Sequence, residues 1–305
     1  MQFEAVGRAE FHETPRPEEE RAIGATRPRR ISRFSPSHAT GSHLPTQPQL
    51  TFADPTSAFL ASRAVPGIED VTAGVYRRTV SLSHGPAAIA LDRVIAADAR
   101  DRAEAERAIA RLAGTDPAAA DDHLADDRFL GPLIAARPHM RMPGTVDGGE
   151  LAVRAVLGQQ VSLAAARTLA GRLVAEAGEP LPEPVGALTH IWPRPEAIAD
   201  AAPRMPMPRS RIAALIALAG ALADGLALEP RSDPAEARAA LLALPGIGPW
   251  TAEYVAMRAL GDPDAWLPTD LGVRRGLARI GATARYADRW RPHRTHAVRH
   301  LWAAS

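Results

Sequence analysis

Residues 244–252 of this 305-residue chain read Leu-Pro-Gly-Ile-Gly-Pro-Trp-Thr-Ala. An Ala-, Leu- and Arg-rich segment with helical spacing precedes the stretch at residues 235–244, and helical spacing resumes over residues 250–260. The Pro-Gly pair between these segments stops a helix, so the pattern predicts helix, tight glycine turn, helix. Such a turn leaves backbone N–H groups of residues 246–248 at the start of a helix, where a phosphate can approach them.

The stretch resembles the hairpin of the helix-hairpin-helix DNA glycosylases, and Leu-Pro-Thr-Asp at residues 267–270 resembles the Gly/Pro-rich loop of that superfamily with its aspartate. Over roughly residues 50–305 the chain resembles the DNA-3-methyladenine glycosylase II (AlkA) family. A Pro-Gly-Ile-Gly turn alone is common in DNA-binding modules, but its combination with Trp-Thr-Ala and Pro-Thr-Asp is specific. The resemblance implies an α+β, mostly α fold, in which a small antiparallel sheet domain precedes a helical HhH-GPD bundle.

Three segments are expected along the chain. Residues 1–47 are rich in proline, with an acidic run and an arginine cluster but no period, which is typical of a disordered tail or linker. Residues 48–116 mix strand and helix signals, as in an AlkA-like N-terminal α+β domain. Residues 117–305 have the pattern of the helical glycosylase region, with the hairpin at 235–260 and a catalytic loop at 262–270.

Within the N-terminal domain, strands are predicted at residues 50–52, 75–82 and 87–91, and a helix at 103–112. The segment after Leu91 is shorter than the family pattern, as if a strand pair were missing. In the helical region, the spacing predicts one helix over residues 121–134 and a proline-rich connection over 180–195. Ser162 is the expected N-cap of a helix over 163–177, and Trp266 and Trp290 are assigned to packing.

Composition excludes several kinds of chemistry. The absence of cysteine rules out Cys-ligated zinc, an iron–sulfur cluster and a Cys-based alkyl acceptor. The chain has no lysine, and Trp250 stands where the strand-cleaving branch of the superfamily has its Schiff-base lysine. The resemblance therefore implies simple hydrolysis without cofactor. No long apolar run or signal-like start is present, so a cytoplasmic monomer that meets no membrane is expected.

Charge is distributed unevenly although the net charge is only +1. Residues 270–305 contain eight arginines and two aspartates, a local excess of six positive charges. A solvated basic helix face would have this composition, and so would a surface that contacts DNA phosphates beside the hairpin. On the resemblance, Arg274 and Arg275 are expected to bind DNA together with Gly246, Ile247, Gly248 and Thr251.

Asp270 stands just before a predicted helix, where an aspartate is commonly an N-cap. The resemblance instead implies the catalytic carboxylate, because the family's aspartate follows the proline at this place. A buried carboxylate stabilises the oxocarbenium-like charge that builds on the sugar when an N-glycosidic bond breaks. Some members of the family carry a second acidic residue where this chain has Thr269, so Asp270 is expected to act alone.

Trp250 and Tyr254 lie four residues apart and share one helix face. Two aromatic residues on one face are often core, but in the family they line the base pocket, and Trp302 matches a third aromatic wall. A cationic alkylated purine is attracted to such rings by about 0.5–2 kcal/mol.

Gln160, in Leu-Gly-Gln-Gln-Val-Ser, matches the position that enters the duplex when a nucleotide is flipped out, although a loop hydrogen bonder is an equal alternative. The main-chain carbonyls of Leu242, Leu244 and Ile247 match those that hold a structural monovalent cation in the family.

The sequence therefore predicts a monofunctional glycosylase that removes alkylated bases, chiefly 3-methyladenine, from damaged double-stranded DNA by base flipping. Two alternatives stay open. The same fold could act on another lesion, such as uracil or an oxidised purine. The chain could also be a non-enzymatic DNA-binding or regulatory protein, an idea that the shortened sheet domain favours and the intact Asp270 opposes.

Overall fold

The computed structural model describes residues 55–305. The expected tail at residues 1–47 and the predicted strand at 50–52 lie outside the described residues. No helix of the described part is long and apolar enough to cross a membrane.

The N-terminal part is a four-stranded antiparallel sheet with a helix before it and a helix after it. Its elements are α1 (Pro55–Ala61), β1 (Glu69–Thr72), β2 (Val75–Leu82), β3 (Gly85–Ala90), β4 (Val94–Ala96) and α2 (Arg102–Ala113). The strands pair in sequence order, with Val80 opposite Ala87 in the β2–β3 ladder. Tyr76, Ile89, Ile109 and Leu112 are buried between the sheet and α2. The predictions for β2, β3 and α2 are confirmed, whereas the short strands β1 and β4 were not predicted.

The rest of the chain is mostly helical. The helices are α3 (Ala118–Leu124), α4 (Gly131–Ala136), α5 (Gly148–Leu157), α6 (Leu163–Ala177), α7 (Pro195–Ala201), α8 (Arg209–Ala223), α9 (Pro234–Leu242), α10 (Pro249–Val255), α11 (Leu271–Ile280) and α12 (Arg294–Ala304). Ser162 caps α6 as predicted, because its hydroxyl accepts a hydrogen bond from Ala165 N at 3.2 Å. The α+β, mostly helical fold predicted from the sequence is therefore confirmed.

Two sequence predictions in this part are wrong. The single helix predicted over residues 121–134 is two helices, because Asp127 Oδ1 accepts hydrogen bonds from the N–H groups of Phe129 and Leu130, both at 2.9 Å, and turns the chain. The proline-rich connection over 180–195 contains a two-stranded hairpin, β5 (Glu179–Val185) and β6 (Leu188–Ile191). Proline is tolerated there because β5 is an edge strand.

A buried ionic network joins the sheet to α5. Arg78 on β2 donates to Glu150 on α5 at 2.6 Å and to Glu69 on β1 at 3.3 Å. Arg154 on α5 donates to the same two carboxylates, at 2.8 Å to Glu150 and 3.0 Å to Glu69. Arg154 also donates to the carbonyl of Arg63 at 2.7 Å. The two positive and two negative charges of the network balance. Because its hydrogen bonds join β1 and β2 to α5, the network also fixes the position of the sheet on the helical bundle.

Two aromatic residues complete the core under α11 and α12. Trp290 is fully buried, and Trp266 packs against it edge to face with ring centroids 5.9 Å apart. The packing role predicted for both residues is confirmed.

Candidate active site

The hairpin consists of α9, a turn over residues 243–248, and α10. Asp233 caps α9 by accepting hydrogen bonds from Ala235 N at 2.8 Å and Glu236 N at 2.9 Å, and Pro234 occupies the first helical position. Gly246 has a φ of +76°, and a Cβ there would lie 2.7 Å from Ala214 Cβ. Only glycine therefore fits this turn without displacing α8.

The turn offers fewer free N–H groups than the sequence predicted. Ile247 N donates to the carbonyl of Leu244 at 3.2 Å and is used inside the turn. Within residues 55–305, the N–H groups of Gly246 and Gly248 have no backbone acceptor, and a Cβ at Gly248 would meet nothing within 4 Å. The open side of the turn is therefore the side of Gly248, at the start of α10.

The loop between α5 and α6 is tied to the hairpin by Gln159. Its Nε2 donates to the carbonyl of Gly246 at 3.0 Å and to Thr251 Oγ1 at 3.3 Å. Thr251 is buried, so its hydroxyl holds Gln159 from the interior side of the turn. The neighbouring Gln160 is exposed, adopts a φ of +57° and has no hydrogen bond to any described residue. Gln159 therefore has the loop-bonding role that was the alternative for Gln160.

Asp270 is at once a helix cap and a wall of a cavity. Its Oδ1 accepts a hydrogen bond from Val273 N at 2.9 Å, which caps α11. The indole N–H of Trp302 donates to the same oxygen at 2.8 Å, and the indole N–H of Trp250 donates to Oδ2 at 3.0 Å. Three donors thus hold the carboxylate in one orientation, and its side chain stays half-buried.

Close packing of α11 on α12 makes this arrangement possible. A Cβ at Gly272 would lie 2.7 Å from Trp302 Cδ1 and 3.2 Å from Asp270 Oδ1. A Cβ at Gly276, one turn later, would lie 2.4 Å from the carbonyl oxygen of Leu301. Two glycines on one face of α11 therefore let α12 approach until Trp302 reaches the carboxylate.

The aromatic residues named from the sequence lie together. Trp250 and Tyr254 are stacked, with centroids 5.2 Å apart and planes at 9°, and Tyr254 lies 6.4 Å from Trp302 at 51°. The structure adds Phe59 on α1, which stacks on Trp302 at 5.9 Å and 20°. Phe59 had no sequence signal beyond an apolar helix position, because the contact joins residues from opposite ends of the described chain.

Two arginines that sequence reasoning missed surround Tyr254. Arg258 is buried and donates to Tyr254 Oη at 2.8 Å, to the carbonyl of Pro143 at 2.7 Å and to the carbonyl of Gly144 at 2.7 Å. The guanidinium of Arg63 lies 3.6 Å above the Phe59 ring. A helical i, i+4 spacing from Tyr254 to Arg258 was the available signal.

These charges change the acidity of the groups around them. Burial raises the pKa of Tyr254, but the positive charges of Arg258 and Arg63 and the hydrogen bond from Arg258 outweigh it, so the pKa lies below its usual value. Burial also lowers the pKa of Arg63 to about 10, and the neighbouring positive charge of Arg258 contributes to this.

A cavity of about 530 Å³ opens between these groups and is large enough for a nucleobase. Its walls include Trp250, Tyr254, Arg258, Asp270, Gly272 and Trp302. The structure thus brings the predicted carboxylate and the three predicted aromatic residues to one cavity beside the hairpin.

Ion pairs hold the loop over residues 262–270. Arg238 on α9 donates to both carboxylate oxygens of Glu253, at 2.8 and 3.0 Å, and pairs with Asp262. Arg294 on α12 donates to Asp264 Oδ1 at 2.8 Å. These contacts connect the loop that precedes Asp270 to both hairpin helices and to α12.

The basic C-terminal segment divides into two groups. Arg299 is buried and donates to the carbonyls of Arg141 and Pro55, and Arg294 is occupied by Asp264. Arg274 and Arg275, in contrast, are exposed on the first turns of α11. The surface with positive charge beside the cavity is therefore smaller than the count from sequence suggested.

Comparison with known proteins identifies relatives over most of the chain. The family profile of the AlkA N-terminal domain matches residues 43–147. The Escherichia coli protein DNA-3-methyladenine glycosylase 2 is 35% identical over 267 residues, which cover 80% of this chain and 90% of that protein. A Mycobacterium tuberculosis protein described as a probable bifunctional transcriptional activator/DNA repair enzyme AlkA is 41% identical over 300 residues, covering 91% of this chain.

The chain spans 60% of the length of the Mycobacterium tuberculosis relative. Among solved structures, the 3-methyladenine DNA-glycosylase from Archaeoglobus fulgidus has the same fold, with a TM-score of 0.69 at 22% identity over 81% of this chain and 92% of that one. The match to nearly the whole Escherichia coli protein is decisive, and the chain belongs to the AlkA family of DNA-3-methyladenine glycosylases.

Proposed function

We propose that the chain is a monofunctional DNA glycosylase that hydrolyses the N-glycosidic bond of alkylated bases, chiefly 3-methyladenine, in duplex DNA. The observation that carries the proposal is the Asp270 carboxylate, held by two indole N–H groups at the wall of a base-sized cavity. A protein that only binds DNA needs the hairpin turn but has no use for this arrangement.

Asp270 is the proposed catalytic residue. Cleavage of the glycosidic bond places positive charge on the sugar, and a fixed carboxylate lowers the energy of that state without reorganising during the reaction. Oδ1 accepts two hydrogen bonds and Oδ2 accepts one, so Oδ2 keeps more capacity for an attacking water. No lysine is present in the chain to form a Schiff base, which supports hydrolysis without cleavage of the DNA strand.

Trp250, Tyr254 and Trp302 are the proposed walls of the base pocket. A flipped alkylated purine carries positive charge and gains about 0.5–2 kcal/mol on an aromatic face. Arg258 fixes the Tyr254 hydroxyl, so the aromatic wall is rigid before a base arrives.

A neutral lesion is the second candidate, and one observation favours it. Arg63 and Arg258 place two guanidinium groups beside Tyr254, where they oppose a cationic base and can donate hydrogen bonds to a neutral one. A panel of lesions therefore belongs in the first assay.

The proposed DNA interface is the hairpin turn at Gly246, Ile247 and Gly248, supported by Thr251, together with Arg274 and Arg275. The free N–H of Gly248 and the open space around it support a phosphate contact there. Gln160 is the residue proposed to fill the gap in the DNA base stack when the damaged nucleotide is flipped out. Its left-handed backbone conformation has an energetic cost, and its side chain is exposed at the tip of the loop next to the hairpin.

The hairpin also fits a structural monovalent cation. Within residues 55–305, the carbonyls of Leu242 and Ile247 accept no hydrogen bond, and that of Leu244 accepts only one, from Ile247 N. Carbonyls at the end of α9 carry partial negative charge, which a cation would neutralise. A bound cation would stabilise the conformation of the turn beside the DNA phosphate.

The chain is expected to act on the duplex as a monomer.

The test is incubation of the protein with methylated duplex DNA and with duplexes that contain uracil, hypoxanthine or an oxidised purine. Release of free 3-methyladenine without strand cleavage, and without a covalent product trapped by borohydride, is expected. Release of only another base would assign a different lesion. Tight duplex binding without release of any base would show that the protein is a binder and not a glycosylase.

A further inference from the structure

A cluster of buried side chains outside the cavity lining is not used by the proposed function. His296 and His300 lie one turn apart on α12, and Asp121 of α3 faces them. All three side chains are buried, with 6%, 1% and 8% of their residue surface exposed. One ligand atom from each lies within 4.8 Å of the other two.

Protons alone satisfy these contacts poorly. His296 Nε2 lies 2.7 Å from Asp121 Oδ1 and 3.2 Å from His300 Nε2. A neutral ring nitrogen carries either one proton or one lone pair. If His296 Nε2 donates to the carboxylate, it can meet His300 only by sharing that one proton, and if it turns a lone pair outward, it repels the carboxylate. His300 Nδ1 is buried and has no partner among the described residues.

A single divalent cation would give Asp121 Oδ1 and the two Nε2 atoms one common partner. Zinc binds imidazole nitrogen at about 2.0–2.1 Å and carboxylate oxygen at about 2.0–2.2 Å, so neighbouring ligands of a tetrahedral site lie about 3.4 Å apart. The separation of 3.2 Å between the two ring nitrogens lies near that value, and the 2.7 Å between His296 Nε2 and Asp121 Oδ1 would open by about 0.7 Å around an ion. Two histidines at i and i+4 on a helix present both rings to one ion. We propose that Asp121, His296 and His300 bind one structural Zn²⁺ ion.

The surroundings support this assignment in two ways. The backbone N–H of His139 donates to Asp121 Oδ2 at 2.8 Å, which fixes the carboxylate with Oδ1 toward the histidines. Both rings are also buried, so bulk water is kept away from the ligand atoms. Arg299 and Arg137 also face His300, so the site carries positive charge that limits its affinity.

The ion would connect two distant parts of the chain. Asp121 and His296 are 175 residues apart in sequence, and α12 also carries Trp302. The metal–ligand bonds would join α3 to α12 and would therefore hold α12, which supplies one wall of the proposed base pocket, in position. This inference does not depend on the proposed function.

The test uses tag-free full-length protein, stripped with EDTA, dialysed, loaded with ZnCl₂ and separated from free metal by gel filtration. The expected content is one zinc per chain by atomic emission, with a higher Tm for the loaded form. His300→Gln and His296→Gln should each lose the zinc and the Tm difference. His84→Gln is the matched control, because His84 contacts Asp101 at 2.5 Å without a second imidazole, and it should keep both.

Asp121→Asn is the variant to use if a histidine change prevents folding, since the amide retains the size of the carboxylate. Cobalt loading gives a second readout, because tetrahedral Co²⁺ has visible absorption that wild type should show and Asp121→Asn should lack. Zinc well below one per chain in wild type, or equal zinc in His300→Gln and wild type, would overturn the proposal.

Discussion

Gly272→Ala tests whether the contact between Trp302 and Asp270 matters for the chemistry. The added methyl group would lie 2.7 Å from Trp302 Cδ1, and ordinary contact begins at 3.4 Å, so the indole must move by about 0.7 Å. If the whole shift runs along the 2.8 Å bond from Trp302 Nε1 to Asp270 Oδ1, that bond lengthens to about 3.5 Å, the limit of a hydrogen bond, and a shift in any other direction lengthens it less.

The expected loss follows from the energy of that bond. A hydrogen bond to a charged group contributes about 1.5–3 kcal/mol. If the whole amount is lost in the transition state, base release slows by about 10- to 150-fold. Stability should change much less, because alanine gains up to about 1 kcal/mol over glycine in a helix, which offsets part of the strain.

The assay is single-turnover release of free base from methylated duplex DNA, with a urea unfolding curve for each protein. Gly220→Ala on α8 is the matched control, because a Cβ there meets nothing within 4 Å, so activity should be retained. Full activity in Gly272→Ala would refute the reasoning. A large loss of stability in the same variant would show that the glycine serves packing instead.

Three further predictions concern charge. Arg154→Met leaves Arg78 as the one remaining counter-ion of two buried carboxylates and should cost about 3–5 kcal/mol in a denaturant titration, whereas Arg204→Met, at an exposed ion pair, should cost under about 1 kcal/mol. The lowered pKa of Tyr254 means that the folded state binds its proton less tightly than the unfolded chain. Stability from this group therefore grows as pH rises toward 10 and is absent near neutrality, and Arg258→Met, which removes the largest cause that lowers the pKa, should make the slope smaller. Arg274→Gln should weaken DNA binding and reduce the slope of log K against log salt by about 0.9, and an unchanged slope would remove Arg274 from the interface.

Local signals in the sequence predicted much of the fold, and the resemblance to the glycosylase family named the residues of the cavity. The Pro-Gly turn marked the hairpin, and the aspartate before a helical segment marked Asp270, because breakers, caps and helical spacing act over a few residues. The i, i+4 spacing likewise placed Trp250 and Tyr254 on one face, where the structure has them stacked. The two wrong elements lay where a capping aspartate divided a helix and where prolines concealed an edge strand.

Contacts between distant segments could not be predicted in this way. Phe59 reaches Trp302 across nearly the whole described chain, and Asp121 reaches His296 across 175 residues. Neither pair has a local periodicity, because each depends on how whole helices pack. The role of Gly272 is of the same kind, since its reason is a side chain on another helix.

The most direct test of the central claim compares wild type with Asp270→Asn for release of free base from methylated duplex DNA, with binding of the same duplex measured in parallel. Asparagine keeps the size of the side chain and is a good N-cap, so folding and DNA binding should be retained. Removal of one preorganised electrostatic group costs on the order of 10²–10³ in rate. A loss of base release of that size with binding unchanged is the expected result. Base release by Asp270→Asn at the wild-type rate would contradict the account.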